Sequence, residues 1–330
     1  MNNMSMRTRS GALSFRAPVV INQLGPELRG AIVDHWSRPW IIDHPTDRPP
    51  WQIPAGADVL LTRPNAGWEQ APATRPSGWP FDLRWIQTAS TGIDLFPHWL
   101  TEAPVVTTGR GVAAIPIAEY VMAAILAFEK RLHERRAFGS KDWGKGSLGS
   151  VYGKRIGIAG FGSIGRAVAE RAFVFGMSVK VLRRSTWLEP EPGIQLAANI
   201  QELIEDVDHL VLAVPATSKT TYLVNAQVLA RAQSTLHLIN VARGRIIDQA
   251  ALLRALDTGK LAAATLDVTD PEPPADDDPI YRHPKIVLTP HISWSGGESA
   301  RLLSDKIIAN LDAYARGAAL ADIYDKALEY

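Results

Sequence analysis

Cysteine is absent from this chain of 330 residues, and its absence removes several classes of chemistry at once. Without cysteine there is no disulfide framework, no thiolate nucleophile and no cysteine-bound zinc, and we expect no metal site. An excess of one charge is missing too, because 35 basic residues balance 34 acidic ones. A formal net charge of +1 gives no electrostatic basis for binding nucleic acid or an anionic membrane.

Long hydrophobic runs are also missing. No stretch approaches the roughly 20 apolar residues that a membrane-spanning helix requires, and residues 1–10 lack the apolar core of a secretory signal. We therefore expect a loose N-terminal tail, no membrane partner and, by default, a cytoplasmic location. Apolar residues are nevertheless plentiful at 46% of the chain, and the length corresponds to about two domains of roughly 150 residues each.

The N-terminal third predicts short buried strands that alternate with helices or loops. Apolar runs occur at residues 18–21, 57–61, 83–87 and 105–107, with proline-rich connections at 44–54 and 64–80. Pro116 then opens a helix that we predict from residue 117 to about residue 138. Its first turns are apolar on nearly every side, which indicates burial on more than one face. We interpret this helix as the crossing between two domains and as part of a subunit contact.

The pattern changes at Lys154 to strands that alternate with helices. Strands are predicted at 155–159, 179–182, 209–214, 236–241, 262–268 and 286–289, and helices at 164–175 and from about 298 to 316. Near-continuous apolar strands between helices predict a parallel sheet that is covered on both faces. We expect a first domain of residues 1–116, completed by 295–330, and a second domain of residues 117–294.

A glycine-rich turn follows the first of these strands, with the sequence Gly160-Phe161-Gly162-Ser163-Ile164-Gly165. In a dinucleotide-binding fold the first glycine permits the tight turn, the second lets a pyrophosphate approach, and the third lets the helix pack on the strand. The helix N-terminus then offers N–H groups and a positive dipole end to that phosphate. We expect dinucleotide contacts at Gly160, Gly162, Ser163, Ile164 and Gly165.

A carboxylate is missing where NAD-specific sites carry one, about 20 residues beyond the turn. The chain has Leu182-Arg183-Arg184-Ser185 there, and the first carboxylate comes only at Glu189. Arg183 and Arg184 can pair with the 2′-phosphate of NADP, and Ser185 can add a hydrogen bond. The sequence therefore favours NADP over NAD, with a solvated pair of surface arginines as the alternative.

Four further phrases complete an ordered set, namely Thr91-Gly92-Ile93-Asp94, Asn240-Val241-Ala242-Arg243-Gly244, Leu266-Asp267-Val268 leading to Glu272-Pro273, and Thr289-Pro290-His291-Ile292. With the glycine turn, this set resembles the D-isomer-specific 2-hydroxyacid dehydrogenases over essentially the whole chain from about Pro18. The resemblance implies an α/β fold of two doubly wound parallel-sheet, Rossmann-like domains with the active site in the cleft between them. It also implies a homodimer formed through the second, dinucleotide-binding domain, and a substrate domain in the first.

The chemistry of such an enzyme accounts for three of these residues. Hydride transfer between a 2-hydroxy acid and nicotinamide needs a cation for the substrate carboxylate and the C2 oxygen, and the rigid fork of Arg243 suits it. It needs an acid or base at that oxygen, for which imidazole is suited, and so we assign His291. Glu272 fits the carboxylate that orients and supports the imidazolium. The alternatives are a surface arginine, a solvated loop glutamate and a structural histidine.

The remaining expected contacts belong to the two ligands. Cofactor contacts are expected at Val214, Pro215, Thr220, Val241, Ala242 and Asp267, with Asp267 facing the nicotinamide end, and substrate contacts at Ser90, Thr91, Gly92, Arg243 and Trp294. The pair Arg183 and Arg184 makes the chain resemble most the NADP-linked glyoxylate and hydroxypyruvate reductases. We therefore expect NADPH-dependent reduction of small 2-keto acids to D-2-hydroxy acids. The alternatives are a dehydrogenase for a larger D-2-hydroxy acid and a cofactor-gated module similar to the C-terminal-binding-protein corepressors, in which Trp294 also occurs.

Overall fold

The structure is a computed structural model that describes residues 16–144, 146–185, 187 and 191–330. The predicted N-terminal tail and Glu189 lie outside these residues. The chain forms two compact units: one comprises the residues up to Ala89, Phe96–Thr107 and Ser304–Ile323, the other Ser90–Leu95, Thr108–Leu303 and Tyr324–Tyr330. Each unit contains one parallel sheet, which confirms the expected fold class of two parallel-sheet α/β domains. The domain boundaries proposed from the sequence stay a prediction.

The first unit is built on a five-stranded sheet. Its strands are β1 (Val19–Asn22), β2 (Trp40–Asp43), β3 (Val59–Thr62), β4 (Trp85–Thr88) and β5 (Val105–Thr107), and its short helices are α1 (Pro26–Ile32) and α2 (Ala66–Glu69). All neighbouring strands pair in parallel in the order β2-β1-β3-β4-β5. Three strands lie inside the sheet: β3 and β4 are buried along their whole length, and β1 is buried at all but its first residue.

The second unit is built on a seven-stranded sheet. Its strands are β6 (Arg155–Ala159), β7 (Ser178–Leu182), β8 (Ile194–Leu196), β9 (His209–Leu212), β10 (His237–Asn240), β11 (Ala263–Leu266) and β12 (Ile286–Leu288). Its helices are α3 (Ala114–Lys130), α4 (Ser163–Val174), α5 (Ile200–Ile204), α6 (Ala226–Leu229) and α7 (Gln249–Asp257), and α8 (Ser299–Ala315) ends in the first unit. The strands are parallel in the order β12-β11-β10-β9-β6-β7-β8.

Two apolar clusters fill the second unit. One includes Leu203, Val228 and Leu252 from α5, α6 and α7, and the other includes Val121 of α3 and Val168 of α4. Helices therefore bury both faces of the sheet, as its apolar strands predict. The chain leaves β6 for β7 on one side while β9 pairs with β6 on the other side. This reversal of strand order is where open α/β sheets bind ligands, at the carboxyl ends of the strands.

The long helix before the glycine turn is shorter than the sequence predicts. Helix α3 begins at Ala114 and ends at Lys130, so Pro116 is its third residue and not its first. A proline in the first turn loses no intrahelical bond, because those N–H groups have no acceptor within the helix. Arg131 adopts a left-handed conformation with φ of 45° and ends the helix. The apolar pattern stops at the same place, just after Phe128.

Two strands, β2 and β8, were not predicted. Each forms an edge of its sheet, and each leaves most of its residues partly or fully exposed. Strand β8 alternates apolar and polar residues over only three positions, whereas β2 carries the short apolar run Trp40-Ile41-Ile42, which the sequence interpretation overlooked.

Candidate active site

The three glycines of the turn occupy their positions for different physical reasons. Gly160 has a φ of +98°, and a Cβ there would lie 2.4 Å from the carbonyl oxygen of Ala213. A Cβ on Gly165 would lie 2.2 Å from the carbonyl oxygen of Gly160. A Cβ on Gly162 would meet nothing within 4 Å. The first and third glycines are thus required by the chain's own packing, whereas the second keeps space open beside the helix.

The N-terminus of α4 differs from those of three other helices in this unit. Asn199, Asn225 and Asp248 accept hydrogen bonds from first-turn N–H groups of α5, α6 and α7. Gly162, which caps α4, supplies no side-chain acceptor. The first turn of a helix has N–H groups with no intrahelical partner, and a phosphate can accept from them. The open space and the uncapped helix together fit the pyrophosphate of a dinucleotide.

The two expected NADP residues follow β7 next to the glycine turn. The N–H of Gly160 donates to the carbonyl oxygen of Leu182 at 2.9 Å, which fixes the end of β7 against the turn. Arg183 Nη2 donates to Ser185 Oγ at 2.6 Å, and the Arg183 guanidinium lies 4.8 Å from the ring centroid of Trp187. A guanidinium held over an aromatic ring still has N–H groups that can donate to an anion.

The other expected cofactor residues lie on loops that follow neighbouring strands. Val214 and Pro215 come after β9, next to Ala213, whose carbonyl oxygen lies close to Gly160. Thr220 Oγ1 donates to the carbonyl oxygen of Pro215 at 2.7 Å. Val241 and Ala242 come after β10, where the N–H of Ala242 donates to Asn240 Oδ1 at 3.1 Å. These contacts shape the loops at the carboxyl ends of the sheet.

His291 and Glu272 are in direct contact. His291 Nδ1 lies 2.6 Å from Glu272 Oε1, and the side chains are 29% and 38% exposed. Burial raises the pKa of Glu272, but hydrogen bonds from His291 and from the N–H of Thr269 outweigh it and the pKa lies below its usual value. The pair through Nδ1 leaves Nε2 of His291 as the ring nitrogen that can exchange a proton with a ligand.

Asp267 fixes the loop that carries His291. Its buried carboxylate accepts from the N–H groups of Ile292 and Ser293, each at 2.9 Å, and from Thr289 Oγ1 at 2.6 Å. The N–H of His291 donates to the carbonyl oxygen of Asp267 at 2.8 Å. These bonds hold His291 at a φ of 53°, a conformation that non-glycine residues seldom adopt. The expected position of Asp267 beside the nicotinamide stays a prediction.

Arg243 is paired with Asp94, which lies far away in the sequence. Its Nε donates to Asp94 Oδ2 at 2.9 Å and its Nη2 to Oδ1 at 3.1 Å, while Nη1 donates to the carbonyl oxygen of Ala242 at 2.7 Å. Burial raises the pKa of Asp94, but the hydrogen bonds and charge of Arg243 outweigh it and the pKa is lowered. A Cβ on Gly92 would lie 2.2 Å from Arg243 Nη2. Glycine at this position therefore lets the guanidinium approach the 90–95 turn.

The remaining expected substrate residues lie in the same unit, on the 90–95 turn and on the loop of His291. Ser90 Oγ donates to the carbonyl oxygen of Gly92 at 2.7 Å, which tightens the turn that also carries Thr91. Trp294 Nε1 donates to the carbonyl oxygen of His291 at 2.7 Å, and its side chain is largely exposed.

Comparisons with known proteins identify the family behind this arrangement. The family model described as D-isomer specific 2-hydroxyacid dehydrogenase, NAD binding domain, matches residues 122–293, just over half of the chain. The chain belongs to the D-isomer-specific 2-hydroxyacid dehydrogenase family. A glyoxylate reductase of Thermococcus kodakarensis is 35% identical over 225 residues, which cover 64% of this chain and 67% of that protein. A glyoxylate reductase of Korarchaeum cryptofilum is 34% identical over 222 residues, covering 64% of this chain and 66% of that protein.

Solved structures of other family members share the fold. A D-isomer-specific 2-hydroxyacid dehydrogenase of Xanthobacter autotrophicus, in complex with NADPH, has a TM-score of 0.77 at 21% identity and covers 96% of this chain and 100% of its own. An NADPH-dependent glyoxylate/hydroxypyruvate reductase of Sinorhizobium meliloti, in complex with NADP, has a TM-score of 0.76 at 23% identity, with 96% and 100% covered. A member from Lactobacillus delbrueckii, with a TM-score of 0.73 at 20% identity, is instead a complex with NAD and covers 93% of this chain and 100% of its own.

Family membership makes this D-2-hydroxyacid dehydrogenase an NAD(P)-dependent oxidoreductase, and the enzyme interpretation of the sequence is confirmed. Among the residues that the structure describes, no group of three or more potential ligands is arranged to hold a metal ion. In the same part of the chain, no helix combines the length and the apolar character needed to cross a membrane.

The sequence interpretation missed two contributors to the site. Asp94 stood in a recognised phrase, but nothing local indicates that it reaches Arg243, because the two residues are 149 positions apart. Tyr120 lies in the first turns of α3, whose sequence is apolar on nearly every side. Its hydroxyl lies 2.7 Å from Thr289 Oγ1, beside the loop of His291. Both partnerships depend on the tertiary fold.

Proposed function

We propose that this D-2-hydroxyacid dehydrogenase reduces small 2-keto acids, such as glyoxylate or hydroxypyruvate, to D-2-hydroxy acids with NADPH. The observation that carries the proposal is the pairing of His291 with Glu272 at 2.6 Å on the loops after β11 and β12, in the unit where Arg243 follows β10. Relatives that are glyoxylate reductases, such as the proteins of Thermococcus kodakarensis and Korarchaeum cryptofilum, support this substrate class. Reduction of a 2-keto acid requires a cation for the carboxylate and a proton for the C2 oxygen.

Each residue has a definite task in this proposal. Arg243 binds the substrate carboxylate and polarises the C2 oxygen, and Asp94 holds the guanidinium in place from the opposite edge. His291 gives the proton on Nε2 to the C2 oxygen, and Glu272 at Nδ1 fixes the ring and stabilises its protonated form. Bound NADPH supplies the hydride. Ser90, Thr91 and Gly92 form one wall for a small substrate and Trp294 another.

The preference for NADPH rests on the residues at the carboxyl end of β7. Arg183 and Arg184 stand where an NAD site would place a carboxylate, and the aromatic ring against Arg183 keeps the edge of its guanidinium available to a phosphate. The Sinorhizobium and Xanthobacter structures with bound NADP or NADPH support this choice by analogy.

A turnover assay with NADPH or NADH and a panel of glyoxylate, hydroxypyruvate and pyruvate tests the proposal, with loss of reduced cofactor as the readout. We expect kcat/KM to be far higher with NADPH. Arg183→Ala should raise the KM for NADPH about tenfold or more, because a charge-assisted bond to phosphate contributes roughly 1.5–3 kcal/mol. Arg254→Ala, an exposed arginine on α7, is the matched control. Equal efficiency with both cofactors would exclude the NADPH preference, and no turnover of any acid would exclude the activity.

The family resemblance carries two further parts of the proposal. The product is the D acid, which chiral analysis of the alcohol made from hydroxypyruvate decides, and an L product would contradict the assigned roles. The protein forms a homodimer through its second unit, which light scattering measures. The expected cytoplasmic location stays a prediction.

A further inference from the structure

The segment 324–330 packs on the second unit, although the helix α8 that precedes it ends in the first unit. The ring centroid of Tyr330 lies 4.9 Å from the guanidinium carbon of Arg184 and 5.5 Å from that of Arg110. Glu329 accepts two hydrogen bonds, one from the N–H and one from the hydroxyl of Ser218, each at 2.9 Å. The segment is thus fixed at two adjacent points, and no residue of the proposed catalytic pairs takes part.

The two arginines that face Tyr330 belong to different segments, one next to the glycine turn and the other next to the first turn of α4. Arg184 follows β7, whose last residue accepts from the N–H of Gly160. Arg110 precedes Gly111, where a Cβ would lie 3.9 Å from the Cβ of Ser163 at the first turn of α4. Tyr330 therefore lies between the strand end expected to meet the 2′-phosphate and the helix end expected to meet the pyrophosphate. Ser218 belongs to the 215–220 loop, which also carries expected cofactor contacts.

The contact chemistry decides what such a ring can do. A guanidinium against an aromatic face is attracted through its own face, by roughly 0.5–2 kcal/mol. Its N–H groups lie at the edge of the plane and still donate to a phosphate. A long arginine side chain that is already held loses less conformational freedom when it binds an anion. Arg183 has the same arrangement with Trp187, at 4.8 Å. Both arginines after β7 thus have an aromatic ring against them.

We propose that Tyr330 is a positioning residue for NADP specificity. Its ring contacts the guanidinium groups of both Arg184 and Arg110. The contacts hold the two groups so that their N–H edges can meet the phosphates of the dinucleotide. Glu329 and Ser218 anchor the segment that carries the ring. The inference rests on the proposed NADPH preference and extends it from the loop after β7 to a segment about 150 residues away in the sequence.

Two small probes separate a role toward the 2′-phosphate from a general structural role. The ligand 2′,5′-ADP carries the 2′-phosphate and 5′-AMP does not, and neither carries nicotinamide. The readout is the ratio of their dissociation constants, measured by calorimetry on the full chain for the parent, Tyr330→Ala, Tyr330→Phe and Glu329→Ala. We expect Tyr330→Ala to lower the preference for 2′,5′-ADP by about twofold to tenfold, because Arg184 must then be ordered when the 2′-phosphate binds, at a cost of roughly 0.5–1.5 kcal/mol.

The controls fix the interpretation. Tyr330→Phe keeps the ring and should keep the preference of the parent, and Glu329→Ala should lower it in the same direction by a smaller factor. The melting temperature without ligand and the KM for glyoxylate should not change. A parent that prefers 2′,5′-ADP together with an unchanged ratio in Tyr330→Ala overturns the inference, whatever Glu329→Ala does, and leaves the proposed function standing. If the parent protein binds 2′,5′-ADP and 5′-AMP equally well, the NADPH proposal is wrong and this inference is wrong with it.

Discussion

The amino ends of the strands form one edge of the seven-stranded sheet and their carboxyl ends form another, here called the amino edge and the carboxyl edge. The two carry similar residue types in opposite environments. At the amino edge, β9 begins with His209 and β10 with His237, whose Nδ1 atoms are 3.3 Å apart. His209 Nε2 lies 3.4 Å from Glu129 Oε1, and Lys154 Nζ lies 2.7 Å from that same oxygen. These four residues are the amino-edge cluster. Both histidines are fully buried, and burial is the largest cause that lowers the pKa of each to about 3, with Lys154 as a further cause for His209.

At the carboxyl edge, Glu272 and His291 form the same kind of histidine–carboxylate contact with far more access to water. The difference shows that a histidine beside a carboxylate is not in itself a catalytic feature. In the amino-edge cluster burial favours the neutral rings, so they stabilise the fold and cannot cycle protons near neutral pH. At the carboxyl edge the ring is reachable by a ligand, and the carboxyl ends of parallel strands are where such sheets bind one.

The largest effect should come from removing the histidine at the carboxyl edge. His291→Ala should lower kcat by about 10²–10⁴-fold, because the C2 oxygen loses its proton donor. NADPH binding should remain, since the expected cofactor contacts are on other loops. Steady-state kinetics with glyoxylate and a fluorescence titration of NADPH measure the two quantities. His98→Ala, an exposed histidine of the first unit, is the control. Retention of most of the kcat, with hydride transfer shown to be rate-limiting, would remove His291 from the mechanism.

The second effect concerns Arg243 and is a test of geometry. Gly92→Ala would place a Cβ 2.2 Å from Arg243 Nη2, the flexible end of a side chain. The arginine can move aside at little cost in stability, but a displacement near 1 Å can cost about 10²-fold in rate. We expect kcat/KM for the keto acid to fall by about 10–10²-fold with little change in melting temperature. Gly30→Ala, where a Cβ would meet nothing within 4 Å, is the matched control. An unchanged kcat/KM would show that the 90–95 turn does not position Arg243.

The sequence was informative where a structure depends on neighbours in the chain. The strand, the glycine turn and α4 form one local unit, and the phrases around Arg243 and His291 each follow an apolar strand. Parallel strands bring such ends together, so their joint location was predictable. Partners across long separations were not, since no local pattern indicates that Asp94 reaches Arg243 or that Tyr330 reaches Arg184. Strand β8 was missed because its apolar and polar residues alternate over only three positions, and β2 was missed although it carries a short apolar run. The helix was predicted too long although the apolar pattern stops just after Phe128, close to the end of α3.

The third effect belongs to the amino edge and appears in stability. In the unfolded chain His209 and His237 bind protons near the ordinary pKa of 6.5, whereas in the folded protein the pKa of each is about 3. Their contribution to stability is therefore complete above pH 6.5 and is lost as the pH falls below it. Each histidine should lower the free energy of unfolding by about 2 kcal/mol between roughly pH 7 and roughly pH 5.

Urea unfolding at those two pH values measures this loss in the parent and in His237→Asn. The variant keeps a hydrogen-bonding side chain but cannot titrate. Between the two pH values its free energy of unfolding should therefore fall by about 2 kcal/mol less than that of the parent. His98→Ala should keep the slope of the parent. The interpretation of the amino-edge cluster fails if His237→Asn and the parent lose stability equally between the two pH values. It also fails if His237→Asn lowers kcat at a pH and temperature where the variant is fully folded, because a purely structural residue should not affect the reaction there.

The smallest effect sharpens the contrast between the two edges without removing a ring. Glu272→Gln keeps an acceptor for His291 Nδ1 but removes the negative charge that stabilises a protonated ring. The protonated ring then lacks its carboxylate partner, so the basic limb of the kcat/KM profile for reduction should move to lower pH. Glu102→Gln, which removes the charge from an exposed ion pair with Arg75, is the matched control and should leave the profile in place. A profile that keeps its basic limb while kcat falls would mean that Glu272 only orients the ring, and a limb that moves to higher pH would contradict the assignment of His291 as the acid.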